Sequence, residues 1–135
     1  MCIRDRFLEA IHEARIVTLD GRPHLPAAMR QWQGDSRGRW DGQTLVIDTT
    51  NFSASNNFMG SSDHLHLVER LTRVAPDRID YEITIDDPTT WTKPWTAVIR
   101  LKRSGERLFE YGCHEGNYEI VRGMLAAARA IDGGR

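Results

Sequence analysis

Cysteine is scarce in this chain: Cys2 and Cys113 are the two among 135 residues. No C-x-x-C metal or redox motif is possible, and Cys113 falls on an apolar parity that suits a small buried side chain. A Cys2–Cys113 disulfide is a minor alternative. Long apolar runs are absent too, and nothing approaches the roughly 20 residues of a helical membrane span. Neither sign of charge dominates. Eighteen Lys and Arg face nineteen Asp and Glu, a net charge of −1, so no general field draws the chain to nucleic acid or an anionic membrane. Also missing are a Gly-rich phosphate loop, H-E-x-x-H, a nucleophile elbow and internal repeats. The first residues, MCIRDR, lack the apolar stretch of a signal peptide.

What is present is period-two alternation. Leu65, Leu67 and Leu71 share a parity with Glu69. Ile79, Tyr81, Ile83 and Ile85 alternate with Asp80, Glu82 and Thr84, and Trp95, Ala97, Ile99 and Leu101 with Thr96, Val98, Arg100 and Lys102. Phe109, Tyr111 and Cys113 continue the pattern. Such runs predict half-buried antiparallel strands joined in a meander. Turn signals sit between them: Ala75–Arg78 with Pro at its second position, the Pro-bounded loop 86–94, and the Gly-containing loop 103–107.

Turn lengths suggest a register. Arg70 is expected opposite Glu82, His66 opposite Asp86, Arg100 opposite Glu110 and Thr96 opposite His114. If Glu82 also faces Arg100, a ladder of alternating charge results. A second row, one pleat repeat away, then holds His66, Asp86, Thr96 and His114, with His64 two residues along. Alternation lets two imidazoles on one strand face converge, so His64, His66, His114 and Asp86 are the candidate metal ligands, with Asp48 and Thr50 able to face the same way. Copper, iron, manganese and zinc all suit such a set. Glu69 and Glu115 stand among apolar neighbours and are candidates for general acid or base work, with Tyr81 or Tyr111 as partners. The bland reading pairs Glu69 with Arg73 or Arg15. Trp91 and Trp95 flank a polar loop and are candidates for stacking on a sugar, although packing is the commoner role. His24, between Pro23 and Pro26, is a candidate lid residue over a bound substrate.

Ile16–Leu19 predicts a strand ending at Asp20-Gly21, with 7–14 ambiguous. Residues 27–37 read as a loop, 38–42 as a tight hairpin tip and 43–50 as a strand. The Asn- and Ser-rich stretch 51–63 is a long loop of the kind that is often functional. Val121, Met124, Leu125, Ala128 and Ile131 have helical spacing, with Asn117 as the N-cap.

Several stretches resemble a known group: LDGRPHLP at 19–26, GDSRGRWDGQTLVIDTTNF at 34–52, DPTTWTKPW at 87–95 and CHEGNY at 113–118. They resemble the C-terminal half of a large family of uncharacterised proteins from environmental bacteria, over nearly all of 8–130. Those proteins are usually longer and often carry a secretion signal. The charged hexamer MCIRDR leads directly into what reads as the middle of a domain, so 1–6 are expected to be a non-native start and 7–135 a single β-rich domain; the resemblance implies that the chain is a fragment of a longer exported protein, periplasmic or secreted. It implies no reaction, and His64 departs from the family's pattern.

Together these features predict an all-β fold: an antiparallel meander forming a small lipocalin-like barrel or sandwich, or alternatively a cupin-like jelly roll, with one C-terminal helix. The expected function is a His-based metal-binding domain, with catalysis on a carbohydrate or other small substrate left open. The alternatives are a non-catalytic small-molecule or carbohydrate binding module and a structural half-domain that needs a missing N-terminal part. A homodimer is allowed; nucleic acid and membrane are not expected partners.

Overall fold

The computed structural model describes residues 3–8, 13–55, 58–107, 121–127 and 129. Seven strands follow one another in chain order across one sheet: β1 (Ile3–Leu8), β2 (Glu13–Thr18), β3 (Asp35–Asp41), β4 (Thr44–Thr50), β5 (His66–Ala75), β6 (Arg78–Asp86) and β7 (Trp95–Lys102). A short helix, α1, covers 121–127. The fold is all-β with a C-terminal helix. Sequential strand order is that of an up-and-down meander, and no jelly-roll crossover occurs among the described residues. Among them the sheet is also open, with no pairing between β7 and β1. No helix among them is long and apolar enough to cross a membrane. The chain divides into two compact units, Met1–Phe7 with Ala14–Glu106, and Leu8–Glu13 with Arg107–Arg135. The expected strand 109–113, the N-cap Asn117, Cys2 and Cys113 lie outside the described residues.

From β3 to β7 every neighbouring pair is antiparallel. The β3–β4 hairpin has a two-residue tip, because Asp41 pairs with Thr44. Gly42 at the first tip position has φ 58°, a conformation glycine adopts without a Cβ penalty. The β5–β6 register is the expected one: Arg70 opposite Glu82 and His66 opposite Asp86.

Three expectations need correction. First, β2 and β3 pair in parallel, Val17 with Ser36 and Thr18 with Arg37; the antiparallel meander begins only at β3. Second, residues 35–37 are strand rather than loop. Ser36 and Asp35 are buried there, and Ser36 Oγ bonds Thr49 Oγ1 across the hairpin at 2.9 Å. Third, the β6–β7 register is displaced by two residues. Glu82 lies opposite Val98, Asp80 opposite Arg100 and Thr84 opposite Thr96, so the continuous charge ladder does not form. A slip of two keeps every side chain on its own face, so the apolar pattern cannot distinguish the two registers. The loop does: Thr90 N and Trp91 N both donate to Asp87 O, at 3.0 and 2.9 Å. β7 then starts with Trp95 opposite Ile85, where it packs on the core.

That core lies on the odd-numbered face of β4 to β6. Phe52, Leu65, Leu67 and Ile85 form a buried cluster, with Ile83, Trp91 and Trp95 packed against it. Glu69 is fully buried on the same face. Its carboxylate is held by the Arg15 guanidinium and the Tyr81 hydroxyl, so the Arg15 pairing of the bland reading is present. The opposite, even-numbered face of β4 to β6 carries Asp48, Arg70, Glu82 and His66, all partly exposed.

Candidate functional site

The polar groups that come together lie where β3, β4 and β5 meet the segment before β3. Leu25 and Pro26 belong to that segment, and the Asn51 amide holds it by donating to Leu25 O at 2.9 Å and Pro26 O at 3.2 Å. Asn51 itself has φ 59°, a left-handed conformation asparagine tolerates better than most residues. The two flanking prolines restrict the backbone on either side of His24. Leu25 N donates to Asp35 Oδ2 at 3.0 Å. His24 is thereby fixed over the first residue of β3.

Its ring bridges two carboxylates. His24 Nδ1 lies 2.9 Å from Asp35 Oδ2, and Nε2 lies 2.9 Å from Asp48 Oδ1. The other oxygen of Asp48 lies 3.1 Å from His66 Nε2. Arg37 closes the far end of the chain of contacts: its Nε and Nη2 reach Asp35 at 3.1 and 2.9 Å, and its Nη1 donates to Thr18 Oγ1 at 2.7 Å. The sequence of groups is therefore Arg37, Asp35, His24, Asp48, His66. Carboxylate oxygens only accept, so both His24 contacts are hydrogen bonds when each ring nitrogen carries a hydrogen, which is the imidazolium form.

Burial alone would push the Asp35 carboxyl up. The Leu25 amide, the His24 ring and the Arg37 guanidinium outweigh it and hold the group below the usual aspartate range. Asp35 is thus an anchored anion with 8% side-chain exposure, while His24 and Asp48 are each about a third exposed, at 29% and 31%. The anchor is inside and the accessible edge faces out. That edge opens onto a cleft of about 330 Å³, walled by His24, Asp48, Arg37 and Arg39 with the backbone of Gly21 and Gly38. Arg39 is exposed and makes no ion pair among the described residues.

The other candidates fall elsewhere. His64 precedes β5 in a turn, and its ring meets Asp63 at 3.1 Å and Ser62 at 3.3 Å. It does not share the strand face with His66, because β5 starts only at residue 66. Asp86 stands opposite His66 in register, but His66 turns to Asp48 instead. Thr96 leaves the expected row and bonds Thr84 at 2.8 Å. Trp91 and Trp95 meet edge to face, centroids 5.9 Å apart at 77°, against the core cluster. His114, Glu115 and Tyr111 lie outside the described residues. Among those described, no group of three or more His, Cys, Asp or Glu side chains stands ready to hold a metal ion.

Asp87, which sequence reasoning passed over in favour of Asp86, is the most thoroughly bonded carboxylate of the loops. It is buried and accepts from Ser62 N at 2.6 Å, Thr89 N at 3.0 Å, Thr89 Oγ1 at 2.7 Å and Thr90 Oγ1 at 3.1 Å. Burial again acts to raise it, and these donors prevail, leaving it far below the usual range. Its signal was the D-P-T-T pattern, in which an aspartate caps its own turn. Comparison of the chain with protein-family models, with curated proteins and with solved structures finds no match.

Proposed function

We propose that the chain is a small-molecule-binding β domain whose ligand occupies the cleft beside His24, and that the ligand is a sugar acid or similar hydroxy acid. The observation that carries this reading is the His24 bridge between the anchored Asp35 and the accessible Asp48 at the wall of a cleft of about 330 Å³, a volume within the range of about 300–1,000 Å³ typical of ligand sites. Arg39 supplies an exposed guanidinium for a carboxylate, to which arginine binds bidentately. Both nitrogens of His24 are held by Asp35 and Asp48, so the ring fixes the Asp48 carboxylate, whose remaining lone pairs accept from a sugar hydroxyl.

A titration with D-galacturonate, followed through the imidazole NMR signals of His24 and His66, tests the reading. Saturable shifts are expected, with D-galactose binding more weakly. Arg39→Gln should weaken galacturonate about tenfold, the loss of one charge-assisted contact of roughly 1.5 kcal/mol. Silence of both rings towards galacturonate would sink the proposal.

One observation favours a second reading, a divalent transition metal (copper, iron, manganese or zinc) on His24, Asp48 and His66. Asp48 faces both imidazoles, its Oδ1 2.9 Å from His24 Nε2 and its Oδ2 3.1 Å from His66 Nε2, and imidazole and carboxylate are the donor types such metals take. Binding would require the imidazoles to turn inward. Stoichiometric zinc uptake lost in His66→Ala supports this reading; no uptake of zinc, copper, iron or manganese rejects it. Export of a longer parent protein remains part of the proposal and draws on the resemblance of the LDGRPHLP and DPTTWTKPW stretches alone.

A further inference from the structure

The sheet face that carries Asp48 and Arg39 continues past the His24 cleft, and Arg70 marks its direction. Residues paired across antiparallel strands share a face. The register therefore lays out three successive rows on this one: Arg37 with Asp48, then Arg39 with Val46 and Arg70, then Asp41 with Thr44 and Thr72. Two residues of strand rise about 7 Å, which is the spacing of the rows. Arg70 has Glu82 opposite it on its other side, yet its Nη2 meets Asp41 Oδ2 at 3.0 Å. Asp41 belongs to β3 and Arg70 to β5, so the side chain crosses β4 to reach it. Val46 lies in the row it starts from and is 1% exposed, as suits a valine beneath an arginine stem.

The crossing places a guanidinium in the third row, one row beyond Arg39. The order along the face is then Asp48, an acceptor for hydroxyls, followed by Arg39 and by the Arg70 guanidinium, at steps of about 7 Å. The Arg70 and Asp41 side chains are 39% and 59% exposed. An ion pair so open to water is worth little, so a ligand carboxylate can replace Asp41 on Arg70. This order separates two classes of ligand. A single open-chain diacid carries its hydroxyls between its two carboxylates. Here the hydroxyl acceptor stands at one end and both cations follow on the same side of it. Linked acid sugars present the matching series, with hydroxyls and a carboxylate on one unit and a carboxylate on the next.

Resting on the reading of the His24 cleft as a sugar-acid site, we propose that its ligand is an oligomer of acid sugars. The first unit lies between Asp48 and Arg39, and the carboxylate of the next is held by Arg70.

Calorimetric titration of the whole chain with D-galacturonate, its 1,4-linked dimer and D-galactarate tests the proposal. The dimer is expected to bind about tenfold more tightly than the monomer, through one added charge-assisted contact. Galactarate, a diacid of one unit, should bind no more tightly than the monomer. Arg70→Gln should erase the advantage of the dimer and leave monomer affinity unchanged. Asp41→Asn alters only an exposed side chain and frees Arg70, so it should tighten the dimer by up to about fivefold and leave the monomer as it was. The proposal alone is overturned if the monomer binds and the dimer gains nothing, if Arg70→Gln leaves the gain intact, or if galactarate shows the advantage instead. Silence towards monomer and dimer alike overturns it together with the reading of the cleft.

Discussion

The buried Glu69 offers the sharpest quantitative test of how this sheet is held together. Its side chain is 1% exposed and that of Arg15 is 12% exposed, so the ion pair sits almost wholly out of water. Tyr81, also buried, donates its hydroxyl to the same carboxylate. Removing one member of such a pair strands a buried charge and costs about 3–5 kcal/mol, whereas replacing both with apolar groups is often close to neutral. Arg15→Met should therefore destabilise the chain by about 3–5 kcal/mol. With an unfolding entropy of about 2.1 cal/mol/K per residue, a chain of 135 residues has about 0.28 kcal/mol/K in all, which converts the loss to a drop of about 11–18 °C in Tm. Tyr81→Phe removes a single donor to the carboxylate and should cost about 1–3 kcal/mol, or about 4–11 °C. The double variant Arg15→Met/Glu69→Leu should recover most of the loss. Its expected recovery is helped by Arg15 Nε, which among the described residues is buried without a hydrogen-bond partner and whose removal relieves a cost. Thermal unfolding followed by circular dichroism reads all three. A drop of less than about 3 °C for Arg15→Met, or a double variant whose loss equals the sum of the single losses, would refute the reasoning.

Other expectations are more local. Asp35 and Asp87 both have folded-state pKa values below the usual aspartate range, so the unfolded chain takes up protons first as pH falls. Their stabilising contribution is complete above about pH 4 and is lost as pH drops through their depressed folded values; urea midpoints measured from pH 6 to pH 2 should fall, and Asp87→Asn should flatten that limb. Gly34 has φ 71°, and an added Cβ would stand 2.8 Å from Thr50 O and 2.7 Å from Thr49 Cγ2, so Gly34→Ala should cost well over the roughly 1–2 kcal/mol of a left-handed alanine. Gly42, at φ 58° with open space around it, should cost only that conformational share on replacement by alanine, and equal urea-derived losses at the two positions would contradict the geometry. Trp95 Nε1 is buried with no hydrogen-bond partner among the described residues, so Trp95→Phe should cost less than a typical core tryptophan truncation of about 3–5 kcal/mol, as denaturant melts would show.

Legibility in the sequence followed the range over which each feature is encoded. The β5–β6 hairpin was readable because Pro76 and Asp77 make a short turn whose length sets the register, and Arg70–Glu82 and His66–Asp86 fell where expected. The β6–β7 pairing was not, because eight residues separate Asp86 from Trp95 and the deciding groups are Asp87 O and the packing of Trp95, neither visible as periodicity. The parallel β2–β3 pairing was hidden for a similar reason. Its connection runs through a Pro-rich segment without a helix, and alternation does not report strand direction. Of the polar cluster, His66 and the sharing of its face by Asp48 were legible. The bridge by His24 was not, since its partners lie 11 and 24 residues away and Asp35 sits in a stretch whose composition reads as loop. The nearest available signal was a histidine between two prolines, a backbone stiff enough to hold a ring in place.

The two faces of the sheet treat their charges in opposite ways, and this bears on where a ligand goes. On the buried face the carboxylate of Glu69 is surrounded by its own cation and a hydroxyl, so a ligand approaching it would have to displace Arg15 at the cost of a stranded charge. On the other face Asp35 plays the buried anchor, and its histidine passes the contact outward to Asp48 and His66, which remain partly exposed. A ligand there exchanges solvent for partners without undoing the fold. Substitutions at Arg15, Glu69 and Tyr81 should therefore move stability and leave ligand affinity unchanged in molecules that remain folded, whereas Arg39→Gln and His66→Ala should move affinity at nearly constant Tm. If the buried-face substitutions changed affinity in the folded protein while the outer ones did not, the ligand would belong to the Glu69 face and the assignment of roles to the two faces would have to be reversed.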